Sequence, residues 1–316
     1  MATPAAAAQV TRHEVAVDAP AEAVYRLLAD TASWPWALPT SLHLEPLETT
    51  ADGATRVAMH TVGEDGSAHT WVALRRTDPA ALTVSYRQER SWSPVADMGG
   101  EWVVEPRTAT TSVIRSAHDF RPVPGAESEA DWIRRTLDGF ATAELSAFAA
   151  AAGREHADPG LRLVLCDSVR VSSSAEAVHA ALWRAEAWPS FLPHVRDTRL
   201  TESDNGAQLL EADIEVGGGK VLTTRVTRVG YPARLIVFKH LVLPPIGAAH
   251  LVRWTIDPDE DGVLLTAEQT VVFDPEGIAA VLGDGADLAT AREFATNELS
   301  ANSRAILEGV RDHVQA

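Results

Sequence analysis

The chain has 316 residues, enough for two domains of ordinary size, and 46% of them are hydrophobic, enough for two cores. A formal charge of −17 argues against free nucleic acid as a partner, and no apolar run approaches the roughly 20 residues of a membrane-spanning helix. The single cysteine, Cys166, excludes an intramolecular disulfide and suits a reducing cytoplasm, while Met1 to Val10 lacks a basic n-region and a long apolar stretch and is expected to be a frayed start.

A short strand, Val10 to Asp18, opens the chain. A helix follows, with Asp18 placed to cap it and Pro20 near its first turn, and Trp34-Pro35 forms a turn after it. Several β runs come next, separated by the turn signals Asp52-Gly53 and Asp65-Gly66. Strand alternation puts His69, Trp71, Ala73 and Arg75 on one face and Thr70, Val72, Leu74 and Arg76 on the other. Arg75 thus ends a largely apolar row, with Arg76 as the alternative if the register slips by one. A later run carries Met98 and Trp102, His118 follows, and a long helix covers about Glu127 to Ala152.

The series then begins again. A polar stretch from Gly153 to Gly160 separates a strand at Leu161 to Val171, a helix capped by one of Ser172 to Ser174, and a Trp188-Pro189 turn followed by His194. The turn signals Asn205-Gly206 and Asp261-Gly262 flank further β runs. Leu222, Thr224, Val226 and Arg228 share one face, and His250 and Trp254 fall on a later run. Gly217-Gly218-Gly219-Lys220 looks like a fragment of a phosphate loop, but Val221 follows the lysine and the stretch sits between strands, so a hairpin turn is expected. A terminal helix, about Asp284 to Val314, has the stripe Leu288, Ala291, Ala295, Leu299, Asn302, Ile306, Val310. Asn302 interrupts it with an amide expected on the sheet-facing side, where the first half has Phe148.

This succession is an internal repeat. Ala21-Glu22-Ala23-Val24 recurs as Ala175-Glu176-Ala177-Val178, and Phe140-Ala141-Thr142 with Glu144-Leu145-Ser146-Ala147 recurs as Phe294-Ala295-Thr296 with Glu298-Leu299-Ser300-Ala301, both at an offset of 154 residues. Two domains are expected, residues 1–155 and 160–316. The order of elements implies an α+β fold, an antiparallel sheet with helices gathered on one face. A long helix across a curved sheet leaves a concave space, a natural small-molecule site.

The residues expected to line it are few. Arg75 and Arg228 occupy nearly corresponding places on apolar rows, and a buried arginine needs a partner, either a structural ion pair or a ligand. Trp34, Trp71 and Trp102, and Trp188 and Trp254, pack the core and present flat walls suited to unsaturated ligands, with Met98 as an adaptable one. His118, His194 and His250 are candidate bases or hydrogen-bonded core residues, and Thr224 and Asn302 add polar groups to the second half. Cys166 is expected to pack in its strand. There is no Gly-x-Ser-x-Gly elbow, no zinc-like histidine spacing and no dinucleotide fingerprint, so no metal or cofactor is expected.

Trp34-Pro35 and Trp188-Pro189 after the first helices, strands ending in Arg75 and Arg228, and Pro94-x-x-x-Met98-x-x-x-Trp102 resemble the aromatase/cyclases of bacterial type II polyketide synthases, in particular their two-domain members. The resemblance covers nearly the whole chain. It implies two tandem helix-grip domains of the START and Bet v 1 type, each with an internal cavity. It also implies a soluble enzyme that takes a poly-β-ketone, its ketone already reduced, from an acyl carrier protein and directs aldol closure and dehydration to an aromatic ring. Arg75 and Arg228 would be the catalytic arginines. Trp71, Met98 and Trp102 would be pocket residues, answered in the second half by Thr224, His250 and Trp254. Ser41 and Val195 stand where single-domain members have a pocket tyrosine. The other components of such a synthase would be partners. An acidic carrier would need a local basic patch, for which Arg87, Arg90, Arg196 and Arg199 are candidates. Replacing either pocket arginine is expected to divert product with little change in melting. A non-catalytic carrier of a lipid or aromatic molecule on the same fold is the alternative.

Overall fold

The computed structural model describes residues 7–216 and 219–316. The first three positions of the expected Gly-Gly-Gly-Lys turn are therefore only partly covered, since 217 and 218 lie outside the described residues, as do residues 1–6 of the expected frayed start.

The first compact unit begins with β1 (Gln9–Val17), α1 (Ala21–Ala29) and the single turn α2 (Trp34–Ala37). Six strands follow: β2 (Ser41–Thr49), β3 (Thr55–Val62), β4 (Ala68–Asp78), β5 (Thr83–Gln88), β6 (Val95–Pro106) and β7 (Ser112–Pro122), and α3 (Ala130–Ala157) closes the series. The second half repeats it: β8 (Arg162–Val171), α4 (Ala175–Trp183), then β9 (Val195–Glu202), β10 (Gln208–Val216), β11 (Lys220–Tyr231), β12 (Leu235–His240), β13 (Gly247–Asp259) and β14 (Gly262–Phe273). The short α5 (Ile278–Leu282) precedes the last helix, α6 (Leu288–Gln315). The sheets run β1-β7-β6-β5-β4-β3-β2 and β8-β14-β13-β12-β11-β10-β9, the same order twice. Two helix-grip domains, as expected, are what the chain folds into.

Local chemistry explains the element ends. Ser174 is the member of the serine run that caps α4, accepting from Ala177 N at 3.2 Å. Asp18 caps nothing: Pro20 holds the N-cap position of α1 with no side-chain bond. The Asp261-Gly262 turn needs its glycine, because Gly262 has φ +131° and a Cβ there would lie 2.3 Å from the Val171 oxygen.

Each sheet buries one face against its helices. In the first unit Val17, Leu28, Trp34, Ala73, Val84, Trp102, Val104, Ile114, Leu145 and Phe148 form one continuous core. In the second, Leu182, Trp188, Leu210, Val226, Ile236, Trp254, Leu265 and Leu307 do the same, and a smaller cluster around Phe273, Ile278 and Ala291 underlies the start of α6. The second compact unit is not contiguous in sequence: besides Gly160–Ala316 it contains Val62–His69, the tip of the β3–β4 hairpin. There Thr227 Oγ1 donates to the Gly66 oxygen at 2.7 Å, Arg225 Nη2 to the Asp65 oxygen at 2.6 Å, and Asn205 Nδ2 to the Ala68 oxygen at 2.9 Å.

The sheet-facing stripe of α6 differs from the expected one. Ala291, Ala295, Ser303, Leu307 and Val310 are buried, and Asn302 is exposed. Successive steps of four residues carry the stripe gradually around a 3.6-residue helix, so the inward place after Leu299 falls to Ser303. Asn302 gives the interior no amide.

Candidate active site

In the first domain β4 turns Trp71, Ala73 and Arg75 inward and leaves Arg76 exposed, where it bonds Asp52. Pairing carries the inner row across the sheet: Arg75 lies opposite Tyr86, Tyr86 opposite Gly100, and Gly100 opposite His118. Trp102 shares the inner face of β6, stacked on Tyr86 with ring centroids 5.2 Å apart and edge-on to Trp34 at 5.6 Å. His118 stands edge-on to Trp102 at 6.1 Å. Gly100 makes this cluster possible, since a Cβ there would come within 2.6 Å of Tyr86 Cε1 and 2.8 Å of His118 Cδ2.

From α3, Glu144 accepts the Trp102 indole proton, Nε1 to Oε1 2.9 Å. Burial pushes the Glu144 carboxyl up to about 7, only partly offset by that bond, and burial also raises the Tyr86 phenol. Both groups keep some accessible surface. Trp71 lies further along β4. Its buried Nε1 has no partner, and its ring meets the exposed Trp92 edge-on at 6.2 Å. Met98, half-buried, continues the same face of β6, and His118 Nδ1 is buried without a partner.

Arg75 is 6% exposed and carries no ion pair among the described residues. Its Nη1 donates to the Ala29 oxygen at 2.9 Å and its Nη2 to the Leu28 oxygen, which also accepts Trp34 Nε1 at 3.0 Å. These are terminal carbonyls of α1, the negative end of that helix. The guanidinium lies 5.6 Å from the Trp34 ring, and burial lowers its pKa to about 10. The second domain repeats the device. Arg228, 1% exposed, donates to the Leu182 oxygen at 3.0 Å and the Trp183 oxygen at 2.5 Å, and Trp188 Nε1 donates to the Ala181 oxygen at 3.0 Å. Its guanidinium lies over Trp183 and Trp188 at 4.9 and 5.4 Å, and burial lowers its pKa to about 9. Both arginines therefore tie the first helix of a domain to its sheet, which gives each a structural role beside any part in chemistry.

Around Arg228 the inventory changes. Phe238 takes the place of Tyr86, Val252 that of Gly100 and Gln269 that of His118, as the matching strand pairs show. Trp254 keeps its place, packed edge-on against Phe238 at 4.8 Å and Trp188 at 6.1 Å. Thr224 lies on the inner face of β11, its hydroxyl 3.3 Å from the Ala212 oxygen. His250 is stacked on His240 at 4.2 Å. Glu298, the sequence counterpart of Glu144, is exposed.

The sequence expectation thus brings together Trp34, Trp71, Arg75, Met98, Trp102 and His118 in one domain, and Trp188, Thr224, Arg228, His250 and Trp254 in the other. His194 falls apart from them, in the loop before β9, with a buried and unpartnered Nε2. Tyr86, Glu144, His240 and Gln269 escaped the sequence reading. Tyr86 alternates with Val84 and Gln88, and Glu144 sits one residue before a repeated leucine, so both carried a signal of period. Cys166 is exposed. Of the four expected docking arginines, Arg87 is held by Asp97 and Asp119, Arg196 by Glu215, and Arg199 by Asp197, Asp213 and Glu211. Arg90 is exposed and has no ion pair among the described residues.

A family model described as polyketide cyclase/dehydrase and lipid transport matches residues 8–153 and again residues 165–315. The chain is 35% identical over 297 residues to the granaticin polyketide synthase bifunctional cyclase/dehydratase of Streptomyces virginiae, covering 93% of this chain and 96% of that protein. It is also 35% identical over 306 residues to the actinorhodin polyketide synthase bifunctional cyclase/dehydratase of Streptomyces coelicolor, covering 93% of each. Among solved structures, the di-domain ARO/CYC BexL from the BE-7585A biosynthetic pathway superposes with a TM-score of 0.92 at 36% identity, covering 98% of this chain and 99% of that one. The di-domain ARO/CYC StfQ from the steffimycin biosynthetic pathway gives 0.87 at 27% identity, covering 96% and 98%.

Proposed function

The chain belongs to the polyketide cyclase/dehydrase and lipid-transport family, and from that premise we propose which reaction it performs and where. It is an aromatase/cyclase of polyketide biosynthesis. Its substrate, in this reading, is a poly-β-ketone with one ketone reduced, delivered on an acyl carrier protein by the other components of a type II synthase in the cytoplasm. The first ring closes in the hollow of the first domain.

The observation that carries this reading is Arg75, a buried cation with no ion pair among the described residues, set over Trp34 in an aromatic cluster whose Trp102 bonds Glu144. A methylene between two ketones loses a proton, the enolate carbon attacks a second carbonyl, and the resulting hydroxyl leaves as water. Trp71, Tyr86 and Trp102 restrict the folds the chain can take, so orientation selects the carbons that meet. The positive field of Arg75 favours the developing enolate oxygen. Glu144, with a pKa near 7, exchanges a proton at neutral pH. The exposed Arg90 with the neighbouring exposed Trp92 offers an acidic carrier its free cation. A carrier without chemistry would be served by a wholly apolar interior, and the polar groups of the first domain count against that alternative.

Reconstitution with a synthase and a ketoreductase tests the proposal. Arg75→Ala and Glu144→Gln should each lower correctly aromatised product, the former by about a hundredfold, with shunt products rising in step. Normal product from Arg75→Ala would remove the arginine from the mechanism.

A further inference from the structure

β12 and β13 set His240 and His250 side by side on the inner face of the second domain, their rings parallel to within 1° and 4.2 Å apart. Gln269, on β14, links His250 to the last helix: His250 Nε2 lies 3.0 Å from Gln269 Oε1, and Gln269 Nε2 donates to the Leu299 oxygen at 3.2 Å. A carbonyl only accepts, so Leu299 fixes which end of the amide is the NH₂. The amide oxygen then faces His250, which must carry its proton on Nε2. That leaves His250 Nδ1 as an acceptor with no partner among the described residues, and neither nitrogen of His240 has one. Burial keeps both rings neutral, lowering His250 to about 4 and His240 well below its ordinary value. Both rings keep some accessible surface.

The matching places of the first domain hold no histidine pair: its own stacked histidines, His43 on β2 and His60 on β3, lie elsewhere in the sheet with centroids 6.1 Å apart and bond Glu45 and Thr70. Gln88 pairs with Ala73 as His240 pairs with Val226, and Met98 lies opposite Phe120 as His250 lies opposite Val271. The first domain also presents the donor-only indole N–H of Trp71 where the second has Thr224. A free indole N–H suits a carbonyl. An acceptor-only nitrogen beside an amphoteric imidazole suits a group that donates and accepts at the same oxygen.

We propose that the interior of the second domain binds a cyclised ring through its enol or phenol hydroxyl, which donates to His250 Nδ1 and accepts from His240, while the ketone chain is held in the first domain. The identity of the ring rests on the cyclase reading above; the preference for a hydroxyl does not. A site built to pair a hydroxyl rejects the analogue that lacks it, because its own polar atom is left unpaired.

The full chain titrated with 1-naphthol and with 1-methoxynaphthalene by calorimetry separates hydrogen bonding from aromatic burial. 1-Naphthol should bind at least about tenfold more tightly, and His250→Phe should erase the difference. In ¹⁵N-histidine spectra of the unmodified protein, His250 should be the Nε2–H tautomer, with its Nδ1 resonance moved by 1-naphthol and not by the ether. Equal affinities in the unmodified protein, a preference that survives His250→Phe, or an Nδ1–H tautomer would each overturn the proposal. No chain is cyclised in these measurements, so they fail or succeed independently of the product assay on Arg75→Ala.

Discussion

The two interiors share a frame and differ in what fills it. In both, an arginine from the third inner strand holds the end of the first helix, and a tryptophan after that helix bonds the same turn. Around this common frame the first domain gathers Tyr86, His118 and Glu144, whereas the second gathers Phe238, Gln269 and a histidine pair. One glycine decides much of the contrast: Gly100 leaves room for two rings to approach, and Val252 fills the matching space with its own side chain. The frame is common because a helix end must be satisfied in any domain of this fold. The contents carry no such constraint, and they differ between the two domains.

The largest effects should come from the frame. Arg75→Ala and Arg228→Ala each remove two charge-assisted hydrogen bonds, the first leaving the Ala29 oxygen and the second the Leu182 and Trp183 oxygens without that donor, so each should cost about 3 kcal/mol in urea unfolding, net of the desolvation relieved. Lysine should rescue little, because it lacks the planar fork that spans two neighbouring carbonyls. If the interiors differ as described, the two variants separate in product: Arg75→Ala loses about a hundredfold and Arg228→Ala less than tenfold. Equal losses in product would break the comparison.

Glu144 comes next. Its pKa is raised to about 7 in the folded chain from an ordinary 4.5, so the protonated form is favoured by folding. The stability it contributes is fully present below pH 4.5 and is lost as pH rises through 7, on the order of 3 kcal/mol in all. Glu144→Gln keeps an acceptor for Trp102 and should flatten that stretch of the stability profile. Tryptophan fluorescence that titrates near neutrality in the parent chain and not in the variant would confirm the assignment. Glu298→Gln, at the exposed counterpart, should leave both unchanged.

Gly100→Val transplants one domain's residue into the other. Overpacking Tyr86 and His118 should cost about 1–3 kcal/mol and unstack Tyr86 from Trp102, readable in near-ultraviolet circular dichroism. An unchanged spectrum would mean that the glycine is not what separates the two interiors.

Much of this frame could be read from the residues. The offset of the repeat gave two domains, and alternation placed Trp71, Arg75, Thr224 and Arg228 inward. The choice between Arg75 and Arg76 was settled only by the register of β4. Asn302 misled because three- and four-residue steps along a helix both look periodic, and only packing shows which is used. The link from Gln269 to His250 was beyond reach, since it joins neighbouring strands whose register no local pattern specifies. Tyr86 and Glu144 were within reach of period arguments, but their burial beside each other is a property of the assembled sheet and helix.

The smallest expected effect lies on the first strand of each sheet. His13 meets Asp138 of α3 at 3.0 Å, and at the matching place Asp167 meets Arg304 of α6 at 2.8 Å, with the polarity reversed. His13→Ala should cost less than about 1 kcal/mol in thermal unfolding, because its partner is exposed and can rehydrate. Arg304→Ala should cost somewhat more, because Asp167 is buried and one of its oxygens already lacks a bond. The reverse order would show that exposure of the partner does not set the cost.

The hairpin tip Val62–His69 bears on heredity as well as on packing. Thr227 is 1% exposed, its hydroxyl spent on the oxygen of Gly66. A gene cut at the boundary of the repeat would therefore encode a carboxy-terminal fragment missing eight residues of its own compact unit. Such a fragment would show water a threonine that the intact chain keeps dry. At that tip the repeat does not divide into two separable halves, and the carboxy-terminal half on its own would lose the bonds that Asp65, Gly66 and Ala68 accept.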